Sequence, residues 1–173
     1  MHNFTNAVIL PENLPTLDSE QFNRLDKKYL SIIVIRFVLV FLIAFGGCIA
    51  FLFLSEATPG IPVKIAVSAF IVLWLAFSIG ITLLGFPRKG YLVRENDISF
   101  KKGILFYKET SVPFNRIQHV EVTQGILAKA YKISTLKLFT AGGNSSDLSI
   151  PGLPKNQAQQ LKDFLSEKIS KHE

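Results

Sequence analysis

Cysteine is nearly missing from this chain of 173 residues: Cys48 is the only one. No intramolecular disulfide can form, and no cysteine-based metal cluster can be built. Cys48 lies inside an apolar run and reads as a small packing residue. Histidine is almost as scarce. His2 and His172 lie at the two ends, and His119 stands by itself two residues from Glu121. Residues at i and i+2 share a strand face, so His119 and Glu121 read as a solvent-facing pair; a metal site needs more donors at suitable spacing. Gly142-Gly143 is not followed by Gly-Lys-Ser/Thr and opens no helix, which excludes a phosphate loop. None of the serines sits in a nucleophile elbow. With no catalytic constellation in view, the chain is expected to be neither an enzyme nor the holder of a cofactor.

Charge is missing from two long stretches, and these dominate the reading. Phe37 to Leu54 has no charged residue over 18 positions, and Ile65 to Phe86 has none over 22. At about 1.5 Å per residue the second run would reach roughly 33 Å as a helix, against a hydrocarbon core of about 30 Å. A membrane helical hairpin is expected, with spans at about residues 30–54 and 65–86. Neither run contains an acidic residue, so an ion or proton pathway has no carrier, which argues against a pump or transporter. Residues 1–29 are mostly polar and contain no short apolar core ending in a small-residue cleavage site, so the first span is expected to be an uncleaved anchor. Arg36, near the start of that span, can extend its side chain to the headgroups.

Orientation follows from the placement of basic residues. Arg24, Lys27, Lys28 and Arg36 precede or open the first span; Arg88, Lys89, Arg94, Lys101 and Lys102 follow the second; the loop Ser55 to Lys64 has only Glu56 and Lys64. Basic residues near span ends stay in the cytoplasm, which places both termini there. The loop is short and rich in turn residues, so the spans should run antiparallel. Ala69, Ala76 and Gly80 on one helix, and Gly46-Gly47 on the other, offer a close-approach surface.

Before the hairpin, residues 1–29 form a lead. Asp18 with Gln21 can make a capping box, and Phe22, Leu25 and Tyr29 then share one face of an amphipathic helix. After Pro87 the apolar period shortens. Alternating segments predict strands at Tyr91–Arg94, Ile98–Lys102, Leu105–Val112, Arg116–Gln124, Thr135–Thr140 and Asp147–Ile150, with Pro151-Gly152-Leu153-Pro154 ending the sheet. A last helix over Lys155–Ile169 has Leu161, Phe164, Leu165 and Ile169 as its apolar face. The organisation expected is therefore a lead over 1–29, a transmembrane hairpin over 30–87 and a small α+β domain over 88–173.

Several of these residues fall in a pattern. Lys101-Lys102-Gly103, then Val112-Pro113-Phe114-Asn115-Arg116-Ile117-Gln118, then Thr140-Ala141-Gly142-Gly143, then Ile150-Pro151-Gly152-Leu153 occur in order. Together with the two preceding spans they resemble the bacterial pleckstrin-homology-like domain of YdbS-like membrane proteins, the membrane-flanked domain family. The resemblance departs after the fourth strand, where the family has an arginine and a glycine and this chain has Lys129 and Lys132, which puts the glycine's turn in question. What the resemblance implies is an antiparallel pleckstrin-homology-like sheet or half-barrel closed by a C-terminal helix, held at the inner membrane of a bacterium. It also implies a larger multi-domain relative as companion, and a part in envelope stress or antimicrobial-peptide tolerance.

Two functions compete on this reading. The first is a membrane-anchored interaction module acting in a protein complex, as a homo-oligomer or with that larger relative, with Arg88, Lys89, Arg94, Lys101 and Lys102 against anionic lipid. The second is a lipid- or peptide-handling component that binds an amphiphile between domain and membrane. Lys129, Lys132 and Lys137 offer a second basic cluster, but no nucleic-acid reader motif accompanies either.

Overall fold

The structure is a computed structural model that describes residues 22–54, 60–104, 106–141 and 146–170, apart from the Phe53 side chain. Residues 1–17, Asp18, Gln21, Gly142 and Gly143 lie outside the described residues, and with them the expected capping box and the double-glycine turn.

Among the described residues of the lead, 22–26 do not continue the expected amphipathic helix. Asn23–Arg24 is a two-residue strand, β1, which pairs antiparallel with Gly90 and Tyr91. Gly90 makes this approach possible, because a Cβ there would stand 3.0 Å from the Cβ of Phe22. The first long helix, α1, runs over Lys27–Leu54. Its cap is Asp26, whose Oδ1 accepts the Lys28 amide at 2.8 Å, satisfying one of the orphan donors of the first turn. The second, α2, runs over Ile61–Gly85. It opens four residues earlier than the charge pattern suggested, because Pro62 is preorganised for a first turn.

Both helices are long and apolar enough to cross a membrane. Half-buried positions on α2 recur at Lys64, Val67, Ser68, Ile71, Leu75, Ser78 and Ile79, a helical stripe that faces α1. The expected small-residue contact is not the one used: a Cβ at Gly46, Gly47 or Gly80 would meet nothing within 4 Å. Ile71, Leu75 and Ile79 lie in that stripe, and beside Ile49, Leu52 and Ala69 the seam opens into a cavity of about 640 Å³.

The hairpin rises from the domain rather than being merely attached to it. Leu25 and Ile33 belong to the same buried cluster as the domain core, with Tyr29, Leu30 and Phe37 packed on it. The first turns of α1 are thus protein-covered, and the free apolar part begins near Phe37. Arg36 is exposed where the helix leaves the domain.

Beyond a single turn of 3₁₀ helix at Phe86–Arg88, the chain forms two antiparallel sheets. In the first, β1 is followed by β2 (Gly90–Val93), β3 (Asp97–Lys102) and β4 (Lys108–Pro113) in spatial order. In the second, β5 (Ile117–Thr123), β6 (Ile133–Thr140) and β7 (Leu148–Pro154) are neighbours in sequence order. A short helix, α3 (Ile126–Ala130), links β5 to β6. The last helix, α4 (Lys155–Ser170), packs on all three strands of the second sheet.

The core follows strict alternation where the sequence alternates. Val120 faces Leu138 and Val122 faces Leu136 on the inner face, while His119 meets Phe139 and Glu121 meets Lys137 on the outer one. Phe114 is fully buried at the turn joining the sheets and meets Phe164 of α4 edge to face, with centroids 6.1 Å apart. Tyr91 is buried too, and its hydroxyl accepts the Gln157 amide at 2.7 Å; burial raises its ionisation above the ordinary phenol value, with the Gln157 bond opposing.

Pro151-Gly152 does not stop the sheet. The register steps from Leu136–Ile150 to Ser134–Leu153, so β7 carries one extra residue there. Proline is tolerated because β7 is an edge strand and needs no donor on its free side. Gly152, at φ +76°, forms the bulge.

Candidate functional site

Of the five basic residues expected at the membrane, four converge and one does not. Antiparallel pairing of β2 with β3 sets Gly90 opposite Lys101, which brings Arg88 and Lys89, at the foot of α2, beside Lys101 and Lys102. The next strand adds Lys108, directly across from Lys102. Arg94 is at the opposite end of the same hairpin. Its Nε lies 3.3 Å from Oδ1 of Asp97, and its guanidinium also reaches the buried Ser99 hydroxyl at 3.4 Å. Asp97 in turn accepts from Ser111. Arg94 therefore locks the β2–β3 turn and leaves the basic group.

Of the four that remain, Lys89 is separated from Arg88 and Lys101 by the turn at Gly103. This residue has φ +123°, and a Cβ on it would sit 1.8 Å from the carbonyl oxygen of Phe106, so only glycine fits. The turn throws Ile104 against α2: a Cβ on Gly85 would stand 2.6 Å from the Ile104 Cδ1. Two clefts result, one on each side of Gly103-Ile104. One has Lys89 at its base, Ile81, Thr82 and Gly85 of α2 on one wall, and Ile104 and Phe106 on the other, with a volume of about 310 Å³. The second, about 360 Å³, lies between Arg88, Lys101 and Tyr107.

The charges in the two clefts are differently satisfied. Lys101 Nζ sits 3.8 Å from the centroid of the Phe22 ring, a cation–π contact, and Tyr107 donates its hydroxyl proton to Glu109. Lys89 is half-buried and, among the described residues, meets no carboxylate. Desolvation lowers its pKa from the ordinary lysine value, and the neighbouring Lys102 ammonium lowers it further.

Phe106 is the residue that sequence reasoning missed. The sequence pattern predicts a strand from Leu105, yet β4 starts only at Lys108 and Phe106 is 88% exposed. The signal was present: Ile104-Leu105-Phe106-Tyr107 is four bulky residues without alternation, which a half-buried strand does not show.

The remaining pattern residues do not gather at one place. Pro113 and Arg116 are exposed at the turn between the sheets, where Ile117 is buried. Gln118 is exposed on β5 and borders a shallow hollow with Lys162 and Ser166 of α4. Ala141 is exposed at the end of β6. Pro151 is half-buried and Gly152 is buried beneath Tyr29 of α1, whose Cδ1 would be 2.8 Å from an added Cβ. These residues shape turns and the docking of α1. Lys129 and Lys132 settle the departure noted after the fourth strand: Lys132 has φ +56°, so a left-handed turn is made there by a lysine. Among the described residues no group of three His, Cys, Asp or Glu side chains could hold a metal ion.

Comparison with known proteins agrees with this architecture. The bacterial PH domain family matches residues 31–169, from the first span to the last turns of α4. The UPF0699 transmembrane protein YdbS of Bacillus subtilis (strain 168) is 38% identical over 76 residues, covering 44% of this chain and 46% of that protein. The chain therefore matches somewhat less than half the length of this relative. No solved structure matches. A family match across most of the chain, carried on two apolar helices and a pair of antiparallel sheets closed by α4, makes this a membrane protein of the bacterial PH domain family.

Proposed function

We propose that the protein is a non-enzymatic, membrane-anchored interaction module, in which a PH-like domain is held against the anionic inner leaflet and assembles with a membrane partner. The observation that carries this reading is the convergence of Arg88, Lys89, Lys101 and Lys102 at the foot of α2, on the side of the domain from which both spans emerge. Each basic residue near an anionic surface contributes about 1 kcal/mol. The group therefore favours the cytoplasmic face and holds the domain close to it. The partner is a second copy or a larger relative with several such domains, and the process served is envelope stress or antimicrobial tolerance. Among the described residues, β4 has a neighbour on one side only, an edge on which another chain can add.

The test has two arms. Light scattering of the full chain, purified gently in mild detergent alone or coexpressed with a multi-domain relative, is expected to give an oligomer or a stoichiometric complex; a monomer in both preparations refutes the assembly. A cysteine placed at the exposed end of β6 in a Cys48→Ala background should resist a membrane-impermeant maleimide in whole cells. Labelling from outside refutes the orientation.

A further inference from the structure

We infer that the cleft between the foot of α2 and the β3–β4 turn is a binding site for one anionic phospholipid, its phosphate on Lys89 and Lys102 and an acyl chain between α2 and Phe106. The inference deepens the proposed function and rests on its placement of the basic group at a lipid surface.

The shape of the cleft matches a molecule that is charged at one end and apolar at the other. Its walls are Ile81, Thr82 and Gly85 on α2, and Ile104 and Phe106 on the turn. The one charge in its lining is the Lys89 ammonium, with Lys102 close enough to repel it. The Thr82 hydroxyl is already donated to the carbonyl of Ser78 at 2.9 Å, which leaves the wall without a free hydroxyl donor. A zwitterionic headgroup brings its own cation toward two ammonium groups, whereas an anionic headgroup brings none.

Position in the fold selects a lipid over a soluble anion. The cleft runs alongside the last turn of a helix able to cross a membrane, and α2 ends at Gly85, four residues before Lys89. Phe106, at 88% exposure beside that turn, is costly in water and at home at an interface. Lys89 is equally out of place without an anion: a half-buried ammonium next to a second one is stabilised when a phosphate is added. Gly85 lets Ile104 sit directly against α2 and so fixes where the opposite wall stands, since any side chain there would collide with Ile104.

The experiment is native mass spectrometry of the full chain in mild detergent, titrated with phosphatidylglycerol or phosphatidylcholine. One phosphatidylglycerol per protomer should be retained in preference to phosphatidylcholine. Lys89→Gln should weaken retention by about tenfold, the loss of one charge-assisted contact. Lys89→Arg should keep it, and so should Arg94→Gln, at the far end of the hairpin. Phe106→Ser, at an exposed position where folding is not at stake, should also weaken retention. Equal retention of both lipids, unchanged retention in both Lys89→Gln and Phe106→Ser, or displacement by inorganic phosphate would overturn the inference. A monomer that still selects one phosphatidylglycerol refutes the assembly and leaves this site standing; an oligomer without lipid preference does the reverse.

Discussion

Gly152 is where the membrane hairpin is fastened to the domain, and replacing it with alanine tests that fastening. Two costs arise together. The residue has φ +76°, and a side chain in the left-handed region costs about 1–2 kcal/mol. The new Cβ would also stand 2.8, 2.9 and 3.0 Å from Cδ1, Cγ and Cβ of Tyr29. A χ1 change swings Cγ and Cδ1 aside, but the Tyr29 Cβ is fixed to the α1 backbone, so at that atom only a movement of α1 relieves the contact. Overpacking of this kind costs about 1–3 kcal/mol. The sum, roughly 2–5 kcal/mol, corresponds to a fall of roughly 5–15 °C in Tm for a chain of this size. The shift of α1 also stretches the hydrogen bond from the Asp26 amide to the Gly152 carbonyl, now 2.9 Å. Thermal unfolding in detergent reads the first effect, and hydrogen exchange at Asp26 the second. Tyr29→Ala added to Gly152→Ala removes the contacts to Cγ and Cδ1 but leaves the Cβ contact and the backbone cost, so the two substitutions should couple by about 0.5–3 kcal/mol. A Tm within about 2 °C of the parent, or strict additivity with Tyr29→Ala, would refute the claim that α1 and β7 are packed as one body.

Three further outcomes are expected. Lys132→Gly should raise stability by about 1 kcal/mol, because φ +56° is held there at a cost glycine does not bear; thermal melts check it. The carboxylate of Asp147 accepts from the Thr140 hydroxyl at 2.6 Å and the Thr140 amide at 2.8 Å, and these bonds, the hydroxyl first, hold its pKa below the ordinary aspartate value. Its contribution is therefore present above the unfolded pKa of about 3.9 and lost as pH falls through the lower folded value. Amide exchange at Thr140 should accelerate over that acid window in the parent and be fast throughout in Asp147→Ala. Lys89 has the opposite sign. Its folded pKa lies below the ordinary lysine value because of desolvation and then Lys102, so in lipid-free detergent stability should rise with pH between the folded and unfolded values. Saturating phosphatidylglycerol should flatten that rise, and a slope unaffected by the lipid would contradict the phosphate contact.

What could be read in the residues depended on whether a feature has a period. The spans show as stretches without charge, and β6 shows as Leu136 and Leu138 alternating with Thr135, Lys137 and Phe139; both are repetitive, and both are in the structure. β1 has two residues, too few for any period, and exists because Gly90 lets the chain pass close. The continuation of β7 through Pro151 rests on its edge position, which no local pattern encodes. The site fared likewise. The basic residues were visible as a cluster in sequence, but which of them share a cleft depends on strand pairing, and pairing is what sends Arg94 to Asp97 and Lys101 to Phe22.

The same contrast explains why lipid selectivity should sit at Lys89 rather than across the whole basic group. Charge at a membrane surface acts through the sum, and Arg88 and Lys108, both exposed, can supply a share while hydrated. Such a sum draws the domain to an anionic leaflet but distinguishes poorly among headgroups. A discrete preference needs a cation already stripped of part of its water, with apolar walls that fix where the ligand lies. Among the described residues Lys89 meets both conditions, half-buried between α2 and the turn that Gly103 permits. Neutralising Lys108 should therefore lower overall affinity for anionic vesicles by a share comparable to that of Arg88. Neutralising Lys89 should instead erase the preference for phosphatidylglycerol while leaving vesicle attachment largely in place. If both substitutions produce the same modest loss in vesicle sedimentation and neither alters headgroup preference, the surface acts only as a sum and the cleft holds nothing in particular.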